Sequence, residues 1–154
     1  MKVLDVGTGP GFFAIIMAEM GYTVTAVDRA ENMLQEGRRN GQSAGVQVDF
    51  CQGDALELPF PDNSFDLVVS RNLVWTLPAL EQAYREWYRL LKRWGKVLIF
   101  DGNWYYRLSD PAHMEKYEHF RALAKRDGFK ETIPMEKIME SEDIARQLPL
   151  TYEF

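Results

Sequence analysis

The chain has 154 residues, of which 46% are apolar and 27% charged, a composition that excludes a disordered or fibrous protein and favours a soluble globular one. Its 18 Lys and Arg against 23 Asp and Glu leave a net charge of −5, which argues against binding to a nucleic-acid backbone. The longest apolar run, residues 12–18, is too short to span a membrane, and Cys51 is the single cysteine, so a reduced, cytoplasmic location is expected.

The first two-thirds of the sequence alternate between short apolar runs and segments with helical spacing. Strands are predicted at residues 3–6, 23–27, 46–50, 65–69 and 96–100, and helices at residues 12–20, 31–39 and 78–91. Asn40 and Gly41 are predicted to end the second helix. Because strands that alternate with helices pair in parallel through crossovers, we expect a parallel sheet covered by helices on both faces.

The last third of the sequence has a different pattern. Asp110 and Pro111 are typical of a helix N-cap and first turn, and Asp127 and Gly128 of a helix end. Residues 133–148 are again helical in composition. We therefore predict a single domain over residues 1–154, with a helical tail over approximately residues 107–154.

Polar residues follow each of the first four predicted strands. Ligands of open parallel sheets bind beyond the carboxyl ends of the strands, so these residues are expected to share one crevice. The four polar segments are residues 5–11, Asp28, residues 53–54 and residues 70–72.

The turn after the first strand has the spacing Gly-x-Gly-x-Gly at Gly7, Gly9 and Gly11. Glycines let a ligand approach the backbone, and the helix that follows offers free N–H groups to an anion. The spacing differs from the dinucleotide Gly-x-Gly-x-x-Gly, and Pro10 lacks an N–H, so the turn suits a smaller anion such as an amino-acid carboxylate. A turn with a purely structural role is the alternative.

Two carboxylates stand at the next strand ends. Asp28 is placed to accept hydrogen bonds from ribose hydroxyls, or else to cap the second helix. Asp54 is placed to accept from an exocyclic amine such as that of adenine, or else to stabilise its own turn. Position alone leaves both alternatives open.

The sequence resembles the class I S-adenosylmethionine-dependent methyltransferases, and among them the methyltransferase type 11 group. The resemblance is carried by residues 3–11, 27–28, 52–55, 58–66 and 87–92 and by the strand after Gly95. Residues 53–66 are the most specific part, because they distinguish this family from nicotinamide dehydrogenases. The resemblance implies a Rossmann-like three-layer sandwich, S-adenosylmethionine as cofactor, S-adenosylhomocysteine as product and a small molecule as methyl acceptor.

The resemblance also implies which residues surround the cofactor. Asp5 would organise the cofactor's ammonium group, and the turn would line its methionine end through Gly7, Thr8, Gly9 and Gly11. The remaining implied contacts are Asp28 at the ribose, Arg29 and Met33 beside the adenine, Asp54 and Ala55 at the adenine amine and ring nitrogen, and Ser70, Arg71 and Asn72 near the sulfonium. The resemblance identifies no catalytic base.

The sequence departs from the family's usual pattern in three places. The connection before the fifth strand is Lys92-Arg93-Trp94-Gly95 instead of Lys-Pro-Gly-Gly. No helical segment precedes the first strand, and no pair of β-rich runs follows Phe100 to form the family's closing hairpin. The fifth strand is then an edge, and an exposed edge favours pairing with another chain, so we predict a homodimer or an exchange of elements between two chains.

Aromatic residues after the fourth and fifth strands, Trp75 and those within residues 103–107, are candidates for a substrate pocket, with packing of the tail as the alternative. His113 and His119 do not share a helix face, so no metal site is predicted.

Two other functions stay open. A nicotinamide-dependent oxidoreductase is disfavoured by the glycine spacing, whereas a non-catalytic or assembly-dependent module that binds the same cofactor would fit the missing ends.

Overall fold

The computed structural model describes residues 1–102, 111–126 and 128, and the chain divides into two compact units, residues 1–101 and 102–154. In chain order, the elements of the first unit are β1 (Lys2–Val6), α1 (Phe12–Glu19), β2 (Thr23–Asp28), α2 (Glu31–Ser43), β3 (Asp49–Gln52), β4 (Phe65–Arg71), a 3₁₀ turn (Val74–Thr76), α3 (Leu80–Leu90) and β5 (Leu91–Phe100). The second unit contains α4 (Pro111–Arg126).

The five strands form one parallel sheet in the order β3-β2-β1-β4-β5. The order reverses between β1 and β4, and ligands of open α/β sheets bind at such a switch point, beyond the carboxyl ends of the strands. We call the space at the ends of β1 to β4 the crevice. The predicted α/β Rossmann-like sandwich, with a mostly parallel sheet of at least five strands, is confirmed.

Each face of the sheet carries its own apolar cluster. On the α1 side, Val3, Ala26 and Val69 pack with Ala14 of the helix. On the α3 side, the buried apolar residues include Leu4, Val6, Val27, Val68, Ala83, Trp87 and Leu90. Val3 to Val6 are all buried, as expected for a strand covered on both faces. The middle of the sheet is therefore rigid, and it fixes the positions of the loops at its carboxyl end.

The prediction that Asn40 and Gly41 end α2 is wrong, since the helix continues to Ser43. Gly45 is the residue that adopts the left-handed conformation, with φ of 70°, that commonly follows a helix end. The Val46 amide then donates to the Gly41 carbonyl at 3.1 Å. As a result, β3 begins at residue 49, three residues later than predicted.

The strand β5 begins at Leu91 instead of residue 96, because an irregular stretch is included in it. Phe65 pairs with Leu91 and Leu67 with Lys96, so the register shifts between these pairs. Within this stretch Trp94 has φ of 70° and an 83% exposed side chain. The left-handed conformation raises the free energy of a residue with a large side chain. Trp94 therefore destabilises this turn relative to the glycine found there in the Lys-Pro-Gly-Gly pattern.

The apolar residues of β5 are only partly covered by the described chain. Val97, Leu98, Ile99 and Phe100 are 36%, 41%, 41% and 48% exposed, although successive residues of a strand point to opposite faces. Among residues 1–102, 111–126 and 128, β5 pairs with β4 and with no further strand. This strand is the surface on which the homodimer prediction depends.

The helix predicted to start at Asp110 and Pro111 is confirmed as α4. Gly128 has φ of 84°, and its amide donates to the Lys125 carbonyl at 3.2 Å. The predicted helical residues 133–148 and the candidate pocket residues 103–107 lie outside the described residues, and the single-domain interpretation stays a prediction. No helix in the described part of the chain is both long and apolar enough to cross a membrane.

Candidate functional site

The loop between β1 and α1, residues 7–11, is a tight turn that we call the glycine turn. Gly7, Gly9 and Gly11 are all left-handed, with φ of 69°, 55° and 88°. A Cβ at Gly7 would lie 2.7 Å from the Leu73 side chain, whereas a Cβ at Gly9 would meet nothing within 4 Å. The Gly7 amide donates to the Val27 carbonyl at 2.8 Å. The turn is therefore fixed at its start and open to a ligand at Gly9.

Asp28, the last residue of β2, connects three parts of the crevice. Its Oδ2 accepts from the Gly9 amide at 2.8 Å, and its Oδ1 accepts from the Ala30 amide at 2.9 Å. Its carbonyl accepts from the Gly53 amide at 3.1 Å. The N-cap of α2 is Ala30, so the alternative role of Asp28 as a helix cap is wrong. Asp28 instead joins the glycine turn to the loop after β3.

Asp54 and Ala55 follow directly, at the same end of the sheet. The Asp54 Oδ1 accepts from the Leu56 amide at 2.9 Å, so the turn-stabilising role left open by the sequence is present. The Ala55 carbonyl accepts from Nε1 of the buried Trp87 at 3.0 Å. Because Gly53 is bonded to Asp28, the segments around Gly9, Asp28 and Asp54 meet in one place, which a shared crevice requires.

Asp5 is a buried carboxylate beneath the glycine turn. Its side chain is 2% exposed, and its Oδ2 accepts from Thr8 Oγ1 at 2.6 Å and from the Ala14 amide at 3.0 Å. Burial raises the pKa of Asp5 to about 6, against the two hydrogen bonds, which lower it, and with a smaller raising effect of the Asp28 charge. Asp5 thus ties the turn to α1 and carries a proton more readily than an exposed carboxyl.

Asp5 is expected to make the free energy of unfolding fall as the pH rises from about 4 to about 6. Its pKa in the folded chain lies above the ordinary 3.8, so the folded state binds more protons than the unfolded state in this range, and stability decreases as those protons are lost. Asp5→Asn keeps an oxygen acceptor and removes the titration. Urea unfolding of both proteins should show the native chain losing about 3 kcal/mol relative to the variant by pH 7. Parallel pH profiles would contradict the assignment.

The segment after β4 contributes three side chains of different character. Ser70 is fully buried, and its hydroxyl has no hydrogen-bond partner within the described chain. Arg71 is exposed and places its guanidinium 4.7 Å from the centre of the Phe12 ring. Asn72 is left-handed, with φ of 54°. Arg71 and Asn72 are therefore accessible, whereas Ser70 is closed off from solvent.

Arg29 and Met33 flank the start of α2, next to Asp28. Both are exposed, Met33 by 41%. The Arg29 carbonyl accepts from Gln52 Nε2 at 2.9 Å, which links the loop after β2 to the end of β3. Both side chains are therefore accessible near the carboxyl end of β2, and their implied place beside the adenine stays a prediction.

Other residues that shape the crevice were missed in the sequence. They are Asn40, which donates to the Pro10 carbonyl, Leu73, which covers Gly7, Trp87, which holds Ala55, and Asp101, which accepts from the Val74 amide. Asp101 carries the same signal as Asp28, an acid at a strand end, and Trp87 lies within residues 87–92, which carry the resemblance. Asn40 and Leu73 have no signal in the sequence, because their contacts join distant segments.

The described residues contain no candidate metal site. Among residues 1–102, 111–126 and 128, no three His, Cys, Asp or Glu side chains are grouped so that they could hold a metal ion.

Burial raises the pKa of Cys51, as does the charge of Asp49, against a lowering effect of Arg38. The thiol of Cys51 is thus kept protonated.

Comparison with known families identifies this arrangement. The family described as "Methyltransferase domain" matches residues 4–99, which is well over half of the chain and runs from β1 into β5. The chain belongs to this family. The sequence-based assignment to the class I S-adenosylmethionine-dependent methyltransferases is confirmed.

Individual relatives agree with the family match. The methyltransferase domain is 42% identical over 105 residues to a demethylmenaquinone methyltransferase of Listeria welshimeri, covering 65% of this chain and 44% of that protein. It is 34% identical over 123 residues to the uncharacterized methyltransferase YcgJ of Bacillus subtilis, covering 79% of this chain and 47% of that one. The chain thus spans less than half the length of these curated relatives.

Solved structures show the same fold. The crystal structure of YcgJ from Bacillus subtilis has a TM-score of 0.63 and 30% identity, over 92% of this chain and 60% of that chain. A putative S-adenosyl-L-methionine-dependent methyltransferase from Methanococcus maripaludis has a TM-score of 0.64 and 28% identity, over 94% of this chain and 67% of that one.

Proposed function

We propose that this methyltransferase domain binds S-adenosylmethionine in the crevice and transfers its methyl group to a small molecule, leaving S-adenosylhomocysteine. The observation that carries the proposal is the position of Asp28, which bonds the Gly9 amide at 2.8 Å and the Gly53 amide at 3.1 Å. Asp28 thereby joins the glycine turn to the loop after β3, and this proximity supports the binding of one adenosyl amino acid by all three.

In this proposal each part of the crevice holds one part of the cofactor. A carboxylate accepts about four hydrogen bonds, so Asp28 keeps capacity for ribose hydroxyls besides its two amide donors. Asp5 provides a buried negative charge near the cofactor's ammonium group. The remaining proposed contacts are Gly7, Thr8, Gly9 and Gly11 at the methionine end, Arg29, Met33, Asp54 and Ala55 at the adenine, and Ser70, Arg71 and Asn72 near the sulfonium.

The reaction makes modest chemical demands on the protein. S-adenosylmethionine, when bound in the crevice, would supply a methyl group activated by the sulfonium, with the sulfur leaving as the neutral thioether of S-adenosylhomocysteine. Because the methyl group is already activated, the protein contributes mainly alignment and exclusion of water. A base is required only when the acceptor atom must lose a proton.

Titration calorimetry with S-adenosylhomocysteine and with NAD tests the proposal. The chain should bind S-adenosylhomocysteine and not NAD, and it should methylate some member of a panel of small acceptors. Binding of NAD instead would favour the nicotinamide-dependent oxidoreductase. Binding of S-adenosylhomocysteine without turnover of any acceptor would favour the non-catalytic module, and binding of neither ligand would refute the proposal.

The proposed partners are a second copy of the chain and a small-molecule acceptor. Neither a nucleic acid nor a membrane is a proposed partner, and the proposed location is the cytoplasm. The net charge of −5 and the single cysteine support these assignments.

Light scattering is expected to show twice the monomer mass at high protein concentration, because β5 has partly exposed apolar side chains and, within the described residues, pairs on one side only, with β4. Ile99→Lys should shift the protein towards monomer, since charge on an edge strand opposes pairing. Met20→Lys, at a residue that is 60% exposed away from β5, is the control and should leave the mass unchanged. A monomer at every concentration would rule out self-association.

A further inference from the structure

Asp101, the residue after β5, anchors the loop that follows β4. Its Oδ2 accepts from the Val74 amide at 2.8 Å, at the start of the 3₁₀ turn. Burial raises the pKa of Asp101, whereas the amides of Val74, Leu73, Asn72 and Trp75 lower it by favouring the charged carboxylate. The hydrogen bond from Val74 thus ties the start of the 3₁₀ turn to the end of β5, and the nearby backbone amides favour the charged form of the Asp101 carboxylate.

The anchored loop bears directly on the glycine turn. The Leu73 side chain lies so close to Gly7 that a Cβ there would be 2.7 Å from it. Asn72 holds φ of 54°, and its amide donates to the Phe100 carbonyl at 3.0 Å. Asn tolerates this left-handed conformation better than most non-glycine residues, and its hydrogen bond to Phe100 of β5 holds it there.

We propose that Asp101 is a positioning residue for the crevice: by accepting from the Val74 amide, it holds the loop after β4 so that Leu73 stays on Gly7 and Asn72 stays at the crevice. This inference rests on the proposed function, because it treats the glycine turn and Asn72 as cofactor contacts. Asp101 is proposed to act on binding through this loop and not by contact with the cofactor.

A matched control stands at the opposite end of the sheet. Asp66 is also a carboxylate that accepts from a backbone amide, that of Lys2 at 2.7 Å, and it pairs with Lys92 at 2.9 Å. Its contacts tie β4 to the amino end of β1 and to the start of β5. Loss of Asp66 therefore removes the same kind of hydrogen bond without touching the crevice.

The test compares Asp101→Ala, Asp101→Asn and Asp66→Ala with the native chain, below the temperature at which any of them unfolds. Calorimetry should show S-adenosylhomocysteine bound about tenfold more weakly by Asp101→Ala, the size expected for one charge-assisted hydrogen bond. Asp101→Asn should recover part of the affinity, because its amide oxygen still accepts from Val74. Asp66→Ala should lower the melting temperature and keep the native dissociation constant.

Hydrogen exchange gives a second reading that needs no ligand. The amides of Leu73 and Val74 should exchange faster in Asp101→Ala than in the native chain or in Asp66→Ala. Unchanged exchange would overturn the anchoring. Native affinity in Asp101→Ala, or an equal loss in Asp66→Ala, would overturn the positioning role while leaving the proposed function intact. Failure of the native chain to bind S-adenosylhomocysteine would overturn both.

Discussion

Trp87→Ala is expected to lower the free energy of unfolding by about 3–5 kcal/mol. Trp87 is fully buried in the apolar cluster between α3 and the sheet, and its Nε1 donates to the Ala55 carbonyl at 3.0 Å. The alanine variant leaves a cavity and takes away the hydrogen bond of that carbonyl, and both changes destabilise the fold. Urea unfolding, with the slope of the transition compared between variants, measures the loss.

The neighbouring residue of the same helix supplies the control. Tyr88 is 78% exposed, so Tyr88→Ala should change stability by only about 0.5 kcal/mol. Trp87→Phe keeps most of the buried ring and loses the donor, so it should fall between Tyr88→Ala and Trp87→Ala. If Trp87→Ala cost no more than Tyr88→Ala, α3 would not be packed on the sheet as described.

Asp28→Ala is expected to weaken binding of S-adenosylhomocysteine by about 1–3 kcal/mol, which is about 5- to 150-fold in the dissociation constant. The substitution removes the proposed ribose acceptor. It also releases the Gly9 and Ala30 amides, which donate to the carboxylate at 2.8 and 2.9 Å, so the glycine turn loses a tie to β2. Asp28→Asn keeps one oxygen acceptor and should lose less.

Asp49→Ala is the matched control for this experiment. Asp49 is an exposed acid at the first residue of β3, at the opposite end of the sheet from the crevice. Its loss changes the net charge by the same amount as Asp28→Ala and should leave the affinity unchanged. An Asp28→Ala protein with native affinity would remove Asp28 from the site, and an equal effect of both variants would point to net charge alone.

Local patterns carried much of the prediction. The alternation of apolar runs with helical segments predicted all five strands and the helices between them. For β1 and β4 the physical reason is that a strand buried on both faces needs a continuous apolar run. The glycine turn was recognisable from Gly7, Gly9 and Gly11, since a turn of left-handed residues requires glycine. Asp28 and Asp54 were found because parallel topology brings strand ends to one edge.

Element boundaries were predicted less well, for a physical reason. Gly41 and Gly45 are equally acceptable helix ends in the sequence, and only Gly45 adopts the left-handed conformation. The choice depends on where β3 must begin to pair with β2, through Thr25 and Asp49, which is a contact between distant residues. The irregular start of β5 is likewise decided by its register with β4.

The order of the elements, the family and the acids and glycines at the strand ends could be predicted from the residues alone, because these features depend on spacing along the chain. How those residues are held became visible only in the folded structure. It placed Asp28 on Gly9, Trp87 on Ala55 and Asp101 on the loop that covers Gly7. Such contacts join residues far apart in sequence, and their geometry arises only when the sheet and α3 pack together.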